Sequence, residues 1–530
     1  MKRGVFTDDD LKQIEEQGLT IEEVYGQIDL LKMSTPYLRL AGPCTPGDGI
    51  QVLDQERTSS MINIYEREAG KHHCVKFVPA SGAASRMFKI LLGYLHQGKK
   101  IVRTDIFREA SAGKEEARNL LLFMDGAERF AFFKDIRSIM SEQGLDLDAL
   151  LRRGEYTDLI RLLLTEDGLD YANLPKGLLK FHEYPEGDRT AFEEHLVEAV
   201  SYISDQKGNC PIHFTVSQEH MGDFEAFLEK MRPIYEEKYR VAYDVSFSTQ
   251  RRSTDTIALD MDNSPFRKEN GRLLFRPGGH GALLKNLNDL GGEIISIKNI
   301  DNVVPDHLKP ETIRWKKIMG GYLLFLERLI FNYIKRLASE VVDHQILDEI
   351  TAFLGDELLF PVPDSIRDAS TEAKKAYLME RLNRPIRVCG MVRNVGEPGG
   401  GPFWVEEDTG EKSLQIVESG QVDPDSKEQQ SILAGSTHFN PVDLVCVVRD
   451  WQGRPFDLSN YVDPKAFLVS QKSIDGRDLK ALERPGLWNG SMARWITVFV
   501  EVPSITFNPV KTVNDLLRKE HQPCRCWTGN

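Results

Sequence analysis

The sequence is poor in cysteine, in positive charge and in long apolar runs. Its seven cysteines among 530 residues are scattered and odd in number. That excludes a disulfide-framework fold and predicts reduced thiols in a cytoplasm. Cys524-Arg-Cys526 offers half of a metal-binding pattern with no partner pair nearby. No run is long enough to span a bilayer, and Met1-Lys-Arg-Gly-Val-Phe-Thr7 lacks the apolar centre of a signal peptide, so no membrane association is expected. Lys and Arg total 67 against 81 Asp and Glu, a formal net charge of -14. Such an acidic surface argues against coating nucleic acid, which requires neutralising phosphates. A small phosphorylated ligand needs only a local cluster of bases. No internal repeat or low-complexity tract is present.

What remains is ordinary globular composition, 41% hydrophobic and 28% charged. The length exceeds one core, so a large domain with additions is expected. Residues 1–70 read as a helical segment and linker, with two short helices between 8 and 32. Residues 104–172 are helical in pattern, with Leu120-Leu-Leu-Phe-Met124 and Phe130-Ala-Phe-Phe133 as apolar faces. Strands and helices alternate over 71–103 and 173–310. Cys74–Pro79, Pro211–Ser217, Val241–Phe247 and Glu293–Lys298 are expected strands. Ala191–Ile203, capped by Thr190 with Glu193, and Glu219–Met231 are expected helices. Residues 311–385 are helical again, and 386–530 are rich in strands. The alternation predicts an α/β class: a mixed, mostly parallel sheet with helices on both faces, a helical insertion at 104–172 and a strand-rich C-terminal part.

Chemistry concentrates in a few segments. In Val78-Pro-Ala-Ser-Gly-Ala-Ala-Ser-Arg-Met87 a strand runs into a turn of small residues. There Ser81 and Gly82 would let main-chain N–H groups face phosphates, and Arg86 supplies a bidentate cation. Leu174-Pro-Lys-Gly-Leu178 presents Lys176 on a proline turn. Tyr243-Asp-Val-Ser-Phe-Ser-Thr-Gln250 reads as a strand ending on Gln250, whose amide can both donate to a carbonyl and accept from a ring N–H. Arg276-Pro-Gly-Gly-His-Gly-Ala-Leu-Leu-Lys285 opens a helix, and Ile297-Lys-Asn-Ile-Asp-Asn-Val303 ends a strand on Asp301 and Asn302. Glycines permit close backbone approach to a ligand, a helix N-terminus favours an anion, and an acid at a strand's carboxyl end can hold a metal. Ser413-Leu-Gln-Ile-Val-Glu418, Ser436-Thr-His-Phe-Asn-Pro441 and Phe507-Asn-Pro-Val-Lys-Thr-Val-Asn-Asp-Leu-Leu517 complete the set.

In chain order these segments resemble the UDP-sugar pyrophosphorylases, the uridylyltransferases that make UDP-glucose and UDP-N-acetylglucosamine. The resemblance covers residues 74–89, 174–303 and 386–517 and is that of a divergent branch. The turn at 81–87 is similar to the family's Gly-x-Gly-Thr-Arg-Met signature, with Ala84 where the second glycine stands and Ser85 in place of threonine. The family's Pro-Lys-Gly follows that turn closely, whereas here it comes after the helical stretch, as an inserted subdomain would arrange. The resemblance implies a Rossmann-like nucleotide-sugar transferase fold. It implies Arg86 and Lys176 on the triphosphate, with Ser81 and Gly82 lining the turn, and Gln250 reading uracil. Gly278, Gly279 and Gly281 would approach base and sugar, and His280 would bond a sugar hydroxyl or phosphate oxygen. Asp301 would hold Mg²⁺, with Asn302 beside it on the substrate. Glu418 and Asn440 would bind the sugar, and Lys511 its phosphate.

The reaction so implied is attack of a sugar 1-phosphate oxygen on the α-phosphorus of a nucleoside triphosphate, UTP by the Gln250 argument, releasing pyrophosphate. The nucleophile is already anionic, so cations, metal and backbone amides suffice, with Arg86, Lys176 and Lys511 as the catalytic set. One alternative is a metal-dependent glycosyltransferase using Asp260-Met-Asp262 on a UDP-sugar. Another is a catalytically silent nucleotide-sugar-binding protein, which the altered glycine turn favours.

Overall fold

Three threonines begin three helices. Thr7, Thr20 and Thr190 each accept the N–H of a residue three positions on, and the side chains of Asp10, Glu23 and Glu193 return the bond. These capping boxes satisfy N–H groups that a helix start leaves unpaired. They start helices Asp8–Glu16, Ile21–Lys32 and Ala191–Val200, all anticipated by the sequence. The computed structural model describes residues 6–33, 35–339, 343–396, 399–474 and 476–524. The chain separates into two units. One comprises Met1–Val75, Ser248–Ile297 and Lys317–Pro503, and the other Lys76–Phe247, Lys298–Lys316 and Ser504–Asn530.

In the first unit, Ile386–Arg393 pairs in parallel with Ile496–Glu501, which pairs in parallel with Gly49–Gln51. Asp443–Val447 lies antiparallel on the other side of Ile386–Arg393. Val388, Leu444, Cys446, Val498 and Phe499 are buried on these strands, as expected where both faces of a sheet are covered. An antiparallel meander joins Arg39–Pro43, Gly401–Glu406 and Lys412–Val417. A hairpin, Leu468–Ile474 with Arg477–Glu483, adds Leu259–Asp260. Ile14, Val24, Ile28 and Leu31 of the first two helices pack with Ile257, Leu273 and Leu482.

In the second unit, Cys74–Pro79 pairs in parallel with Asn209–Val216. Helices Arg103–Ser111, Glu115–Asp125, Phe133–Glu142, Leu147–Arg153 and Thr157–Leu164 form the expected helical segment. The fold is therefore mixed α/β: the long strands Ile386–Arg393, Ile496–Glu501, Cys74–Pro79 and Asn209–Val216 pair mostly in parallel, and the meander and the hairpin are antiparallel. Expected helix boundaries are corrected at two places, and the helix read over Ala191–Ile203 ends at Val200. The helix read as ending at Met231 continues from Met221 to Tyr239, through Pro233. Phe224 and Leu228 before the proline and Tyr235 after it are all buried, so packing of one apolar face outweighs the lost backbone bond.

Cys44, Cys74, Cys210, Cys389 and Cys446 are free and buried. Burial holds the Cys74 thiol up at about 12 and those of Cys210 and Cys389 at about 11, so they are protonated. Cys524 is disulfide-bonded, so the expectation of reduced thiols throughout is corrected at that position. Cys526 lies outside the described residues. Among the described residues no helix is long and apolar enough to cross a membrane.

Candidate active site

In the second unit, the chain that leaves Gly82 makes its helical excursion and returns to where it left. Lys176 N donates to Gly82 O at 3.1 Å, Ala84 N donates to Leu174 O at 3.3 Å, and Ala83 bridges Pro175. Gly177 then packs so closely that a Cβ there would stand 2.9 Å from the Phe224 ring and 3.3 Å from Ile300 Cδ1. That close approach brings Lys176 beside Asp301. Ile300 is itself tied down, its N–H donating to Pro79 O at 3.2 Å and its carbonyl bonded by His195 Nε2 at 3.2 Å.

Asp301 is 5% exposed. Its Oδ2 accepts from Lys176 Nζ at 2.9 Å and from Lys511 Nζ at 3.0 Å. Lys176 also donates to Val510 O at 2.7 Å. Burial works against the Asp301 carboxylate, but Lys176 and then Lys511 hold its pKa below the ordinary value. Asp301 Oδ1 is buried without a partner among the described residues. That oxygen fits one coordination position of a hard cation. Among the described residues no group of three or more His, Cys, Asp or Glu could hold an ion unaided. A Mg²⁺ ion here would take one protein carboxylate and complete its shell with water and phosphate oxygens.

Lys511 rides on a segment held at several points. Val510 N donates to Asp301 O at 3.1 Å. Asp515 Oδ2 accepts from Lys511 N and Thr512 N at 2.8 and 2.7 Å. Asn302, 1% exposed, accepts Asn508 N at 2.9 Å and reaches toward Thr506 O. Its side chain is thus spent on this segment. The helical excursion supports the same segment from further along. Arg129 donates to Leu517 O at 2.8 Å, Asn514 donates to Asn119 O at 2.8 Å, and a Cβ on Gly126 would lie 2.5 Å from Leu517 Cδ1.

A buried relay anchors the end of this segment, and sequence reasoning did not assign it a role. His521 stacks on His182 at 5.2 Å and bonds it at 2.9 Å, and His182 Nδ1 lies 2.8 Å from Glu194 Oε1. Burial lowers the pKa of both histidines. Neutral rings fit one direction only: His521 Nδ1–H donates to His182 Nε2, and His182 Nδ1–H donates to Glu194. Burial opposes the Glu194 charge, but Lys309, His182 and Arg189 together hold its pKa well down. The available signal was Ala191-Phe-Glu-Glu-His-Leu-Val-Glu-Ala199, where acids and a histidine interrupt an apolar helix that proves buried all round.

Of the other expected phosphate ligands, Gly82 adjoins this trio through its carbonyl, which accepts Lys176 N at 3.1 Å. Ser81 and Arg86 are exposed. No hydrogen bond or ion pair joins Arg86 to Lys176, Asp301 or Lys511 among the described residues.

The first unit holds the expected sugar set. Gly279 has φ +76, a Cβ on Gly278 would meet Thr254 O at 2.6 Å, and one on Gly281 would meet Pro485 O at 2.1 Å. The glycines therefore serve chain packing here. His280 stacks on Trp488 with ring centroids 4.2 Å apart. Its Nδ1 accepts Leu487 N at 3.0 Å, and its Nε2 lies 3.4 Å from Glu418 Oε1. The hydrogen bond from His280 holds the Glu418 pKa below the ordinary value against burial. Gln250 follows strand Ala242–Thr249 and is half-buried. Asn440 is 2% exposed, its Nδ2 donating to Gly390 O and its Oδ1 accepting Val442 N. Asp260 is paired with Arg477 at 2.9 Å, and Asp262 caps Ser264 at 2.9 and 2.7 Å. The Asp-x-Asp tripeptide is thus engaged in local structure.

The sequence matches a family described as "Domain of unknown function (DUF4301)" over residues 7–522. No curated protein matches it. Solved structures similar to it include a UDP-N-acetylglucosamine pyrophosphorylase from Trypanosoma brucei in complex with an inhibitor, 12% identical with TM-score 0.47, covering 97% of this chain and 79% of that one. A UDP-glucose phosphorylase from Trypanosoma brucei is 14% identical with TM-score 0.45, covering 97% and 80%. A mutant UDP-glucose pyrophosphorylase from Leishmania major is 13% identical with TM-score 0.42, covering 96% and 77%.

Proposed function

We propose that this chain, which belongs to the DUF4301 family, is a nucleotidyltransferase that joins a sugar 1-phosphate to a nucleoside triphosphate, UTP by the Gln250 argument. The observation that carries the reading is the convergence of Lys176 and Lys511 on Asp301. Two ammonium groups held by a single buried carboxylate suit a reaction between two anions, because they are fixed in place before the substrates arrive. In the reaction a phosphate oxygen of the sugar 1-phosphate forms a bond to the α-phosphorus. The bond between the α-phosphorus and the bridging oxygen to the β-phosphate breaks, and pyrophosphate leaves with the electron pair. No proton needs to move, in keeping with a site built from cations.

Lys176, largely buried, orients phosphate through a fixed Nζ. Lys511, with its side chain 56% exposed and its Nζ on Asp301, is placed to meet an incoming phosphate from the solvent side. Asp301 Oδ1 would hold Mg²⁺, which supplies charge neutralisation on the triphosphate. Asn302 and Asn440 act as positioning residues, because their amides are engaged within the protein. Glu418 and His280 are assigned to sugar hydroxyls, a carboxylate and a ring nitrogen being complementary to O–H groups. Arg86, Ser81 and Gly82 are assigned to the triphosphate.

The test is pyrophosphate release with Mg²⁺, each common nucleoside triphosphate and a panel of sugar 1-phosphates. A signal with UTP that disappears in Lys511→Ala supports the reading and names the sugar. Silence across the whole panel overturns the catalytic assignment.

A further inference from the structure

Arg387 is 0% exposed, and among the described residues no carboxylate pairs with it. Its strand sets it between Cys446 on one side and Thr497 on the other. Nε donates to Thr497 Oγ1 at 2.8 Å and Nη1 to Trp488 O at 2.5 Å, while Nη2 is buried without a partner among the described residues. Burial lowers its pKa, opposed only by Cys389 and Cys446. Desolvating a charge that has no counter-ion is expensive, so an apolar side chain of similar length would serve packing at least as well. What an apolar chain cannot supply is the bond to the Trp488 carbonyl.

That carbonyl belongs to a turn, 486–490, which touches both members of the His280–Glu418 pair. Leu487 N donates to His280 Nδ1 at 3.0 Å, and the Trp488 ring stacks on the imidazole with centroids 4.2 Å apart and planes at 19°. A ring nitrogen that accepts carries no proton, so the proton of the neutral ring is on Nε2, 3.4 Å from Glu418 Oε1. Gly486 passes so close that a Cβ there would lie 2.3 Å from His280 Cε1. Asn489 Nδ2 donates to Gln421 Oε1 at 3.2 Å, and the same oxygen accepts Glu418 N at 3.0 Å. The hydrogen bond from His280 favours the charged Glu418 carboxylate against burial, and the Trp488 side chain adds to it. Rotating the peptide that follows Trp488 would therefore disturb the indole, the imidazole and the carboxylate together.

We propose that Arg387 is a positioning residue for the His280–Glu418 pair, its guanidinium fixing the Trp488 carbonyl and thereby the ring on which His280 lies. Because that pair is assigned to sugar hydroxyls, Arg387 sets sugar affinity from inside the sheet and leaves triphosphate affinity alone. This second step rests on the proposed function. The coupling of Arg387 to Trp488 and His280 does not.

The test is fluorine NMR of the full chain labelled with 5-fluorotryptophan, whose six tryptophans are assigned by single Trp→Phe substitutions. The variants are Arg387→Met, Arg387→Lys and Thr497→Val. The first removes both donors, the second keeps one cationic donor, and the third leaves Arg387 in place but removes the oxygen that orients Nε. The Trp488 signal should move in Arg387→Met and Thr497→Val and return toward its wild-type position in Arg387→Lys. The signals of Trp315, Trp404 and Trp451 should stay in place in all three. Calorimetric titration with glucose 1-phosphate, N-acetylglucosamine 1-phosphate and UTP follows in the same proteins. Sugar-phosphate affinity should fall about tenfold in Arg387→Met, the scale on which displaced binding groups act, and UTP affinity should not change.

A Trp488 signal unmoved in Arg387→Met overturns the inference. So does a joint shift of all the assigned signals in both Arg387→Met and Thr497→Val, which would make Arg387 a residue of the fold alone. Equal weakening of UTP and sugar phosphate would overturn the sugar step. Failure of the wild type to bind either sugar phosphate would overturn that step together with the reading it rests on, and the Trp488 signal would still decide the coupling.

Discussion

Lys176 and Lys511 share one oxygen of Asp301, at 2.9 and 3.0 Å, but they differ in exposure: the Lys176 side chain is 12% exposed and that of Lys511 56%. The two lysines therefore have separable structural roles. Removing Lys511 leaves Asp301 paired, and an exposed ion pair contributes about 1 kcal/mol or less. Removing Lys176 strips a buried carboxylate of its closer partner and leaves Val510 O unbonded, which costs about 3 kcal/mol. Urea unfolding should show Lys511→Ala close to wild type and Lys176→Ala clearly destabilised. Turnover should fall at least a hundredfold in both, in line with the loss of one preorganised charge at a transition state. Equal stability losses would contradict the burial argument.

His521 closes the segment that carries Lys511. His521→Ala removes the stacked ring on His182 and the bond at 2.9 Å, and it opens a void in a buried region. A loss of about 2–4 kcal/mol is expected. Hydrogen exchange should report faster protection loss at the Lys511 and Thr512 amides, which Asp515 now holds. Exchange unchanged at those two amides would show that the relay does not position the segment.

The two glycine turns should respond in opposite ways. Gly281→Ala would press a Cβ to 2.1 Å from Pro485 O, so the backbone must shift. A loss above about 2 kcal/mol is expected from overpacking. Gly82→Ala meets nothing within 4 Å and should leave the melting temperature within about 1–2 °C of wild type. If that turn faces phosphates, the added methyl will weaken triphosphate binding several-fold without unfolding the protein. Unaltered triphosphate affinity would remove Gly82 from the site.

Asp10 gives a pH signature unrelated to catalysis. Arg267 bonds both its oxygens, at 2.8 and 2.7 Å, and this bidentate pair, opposed by burial and helped by Thr7, holds its pKa at about 2. A carboxyl with a lowered folded-state pKa contributes stability above its unfolded value and loses it as pH falls through the folded one. Asp10→Asn should therefore cost about 1 kcal/mol at pH 7, allowing for solvent around Arg267. The gap from wild type in urea unfolding should hold down to about pH 4 and close toward pH 2. A gap that widened on acidification would reverse the sign and exclude this pairing.

Local chemistry was legible in the sequence wherever a few adjacent residues decide the outcome. The cap of Thr190 with Glu193, strands such as Cys74–Pro79 and Ile294–Lys298, and the helical stretch after Arg103 all follow from patterns within a dozen residues. Lys176, Asp301 and Lys511 could each be singled out from a short segment, a proline turn, a strand end and a Pro-Val-Lys run. The end of the helix at Tyr239 was not legible, because Pro233 stops a helix by local rules and only distant packing overrules it.

Only the tertiary structure decided which of these residues act together. Lys176 reaches Asp301 because Gly177 lets its turn sit on Ile300, and Lys511 arrives from the far end of the chain on a segment braced by Asn119, Arg129 and His182. It also decided which polar residues are already spent, as with Asn302, Asn440, Asp260 and Asp262, and which are left wanting a partner, as with Gln421 and Asn489. A sequence states what each side chain can donate or accept. Whether that capacity is used is a matter of distance, and in this chain the distances depend on contacts between segments far apart along the backbone.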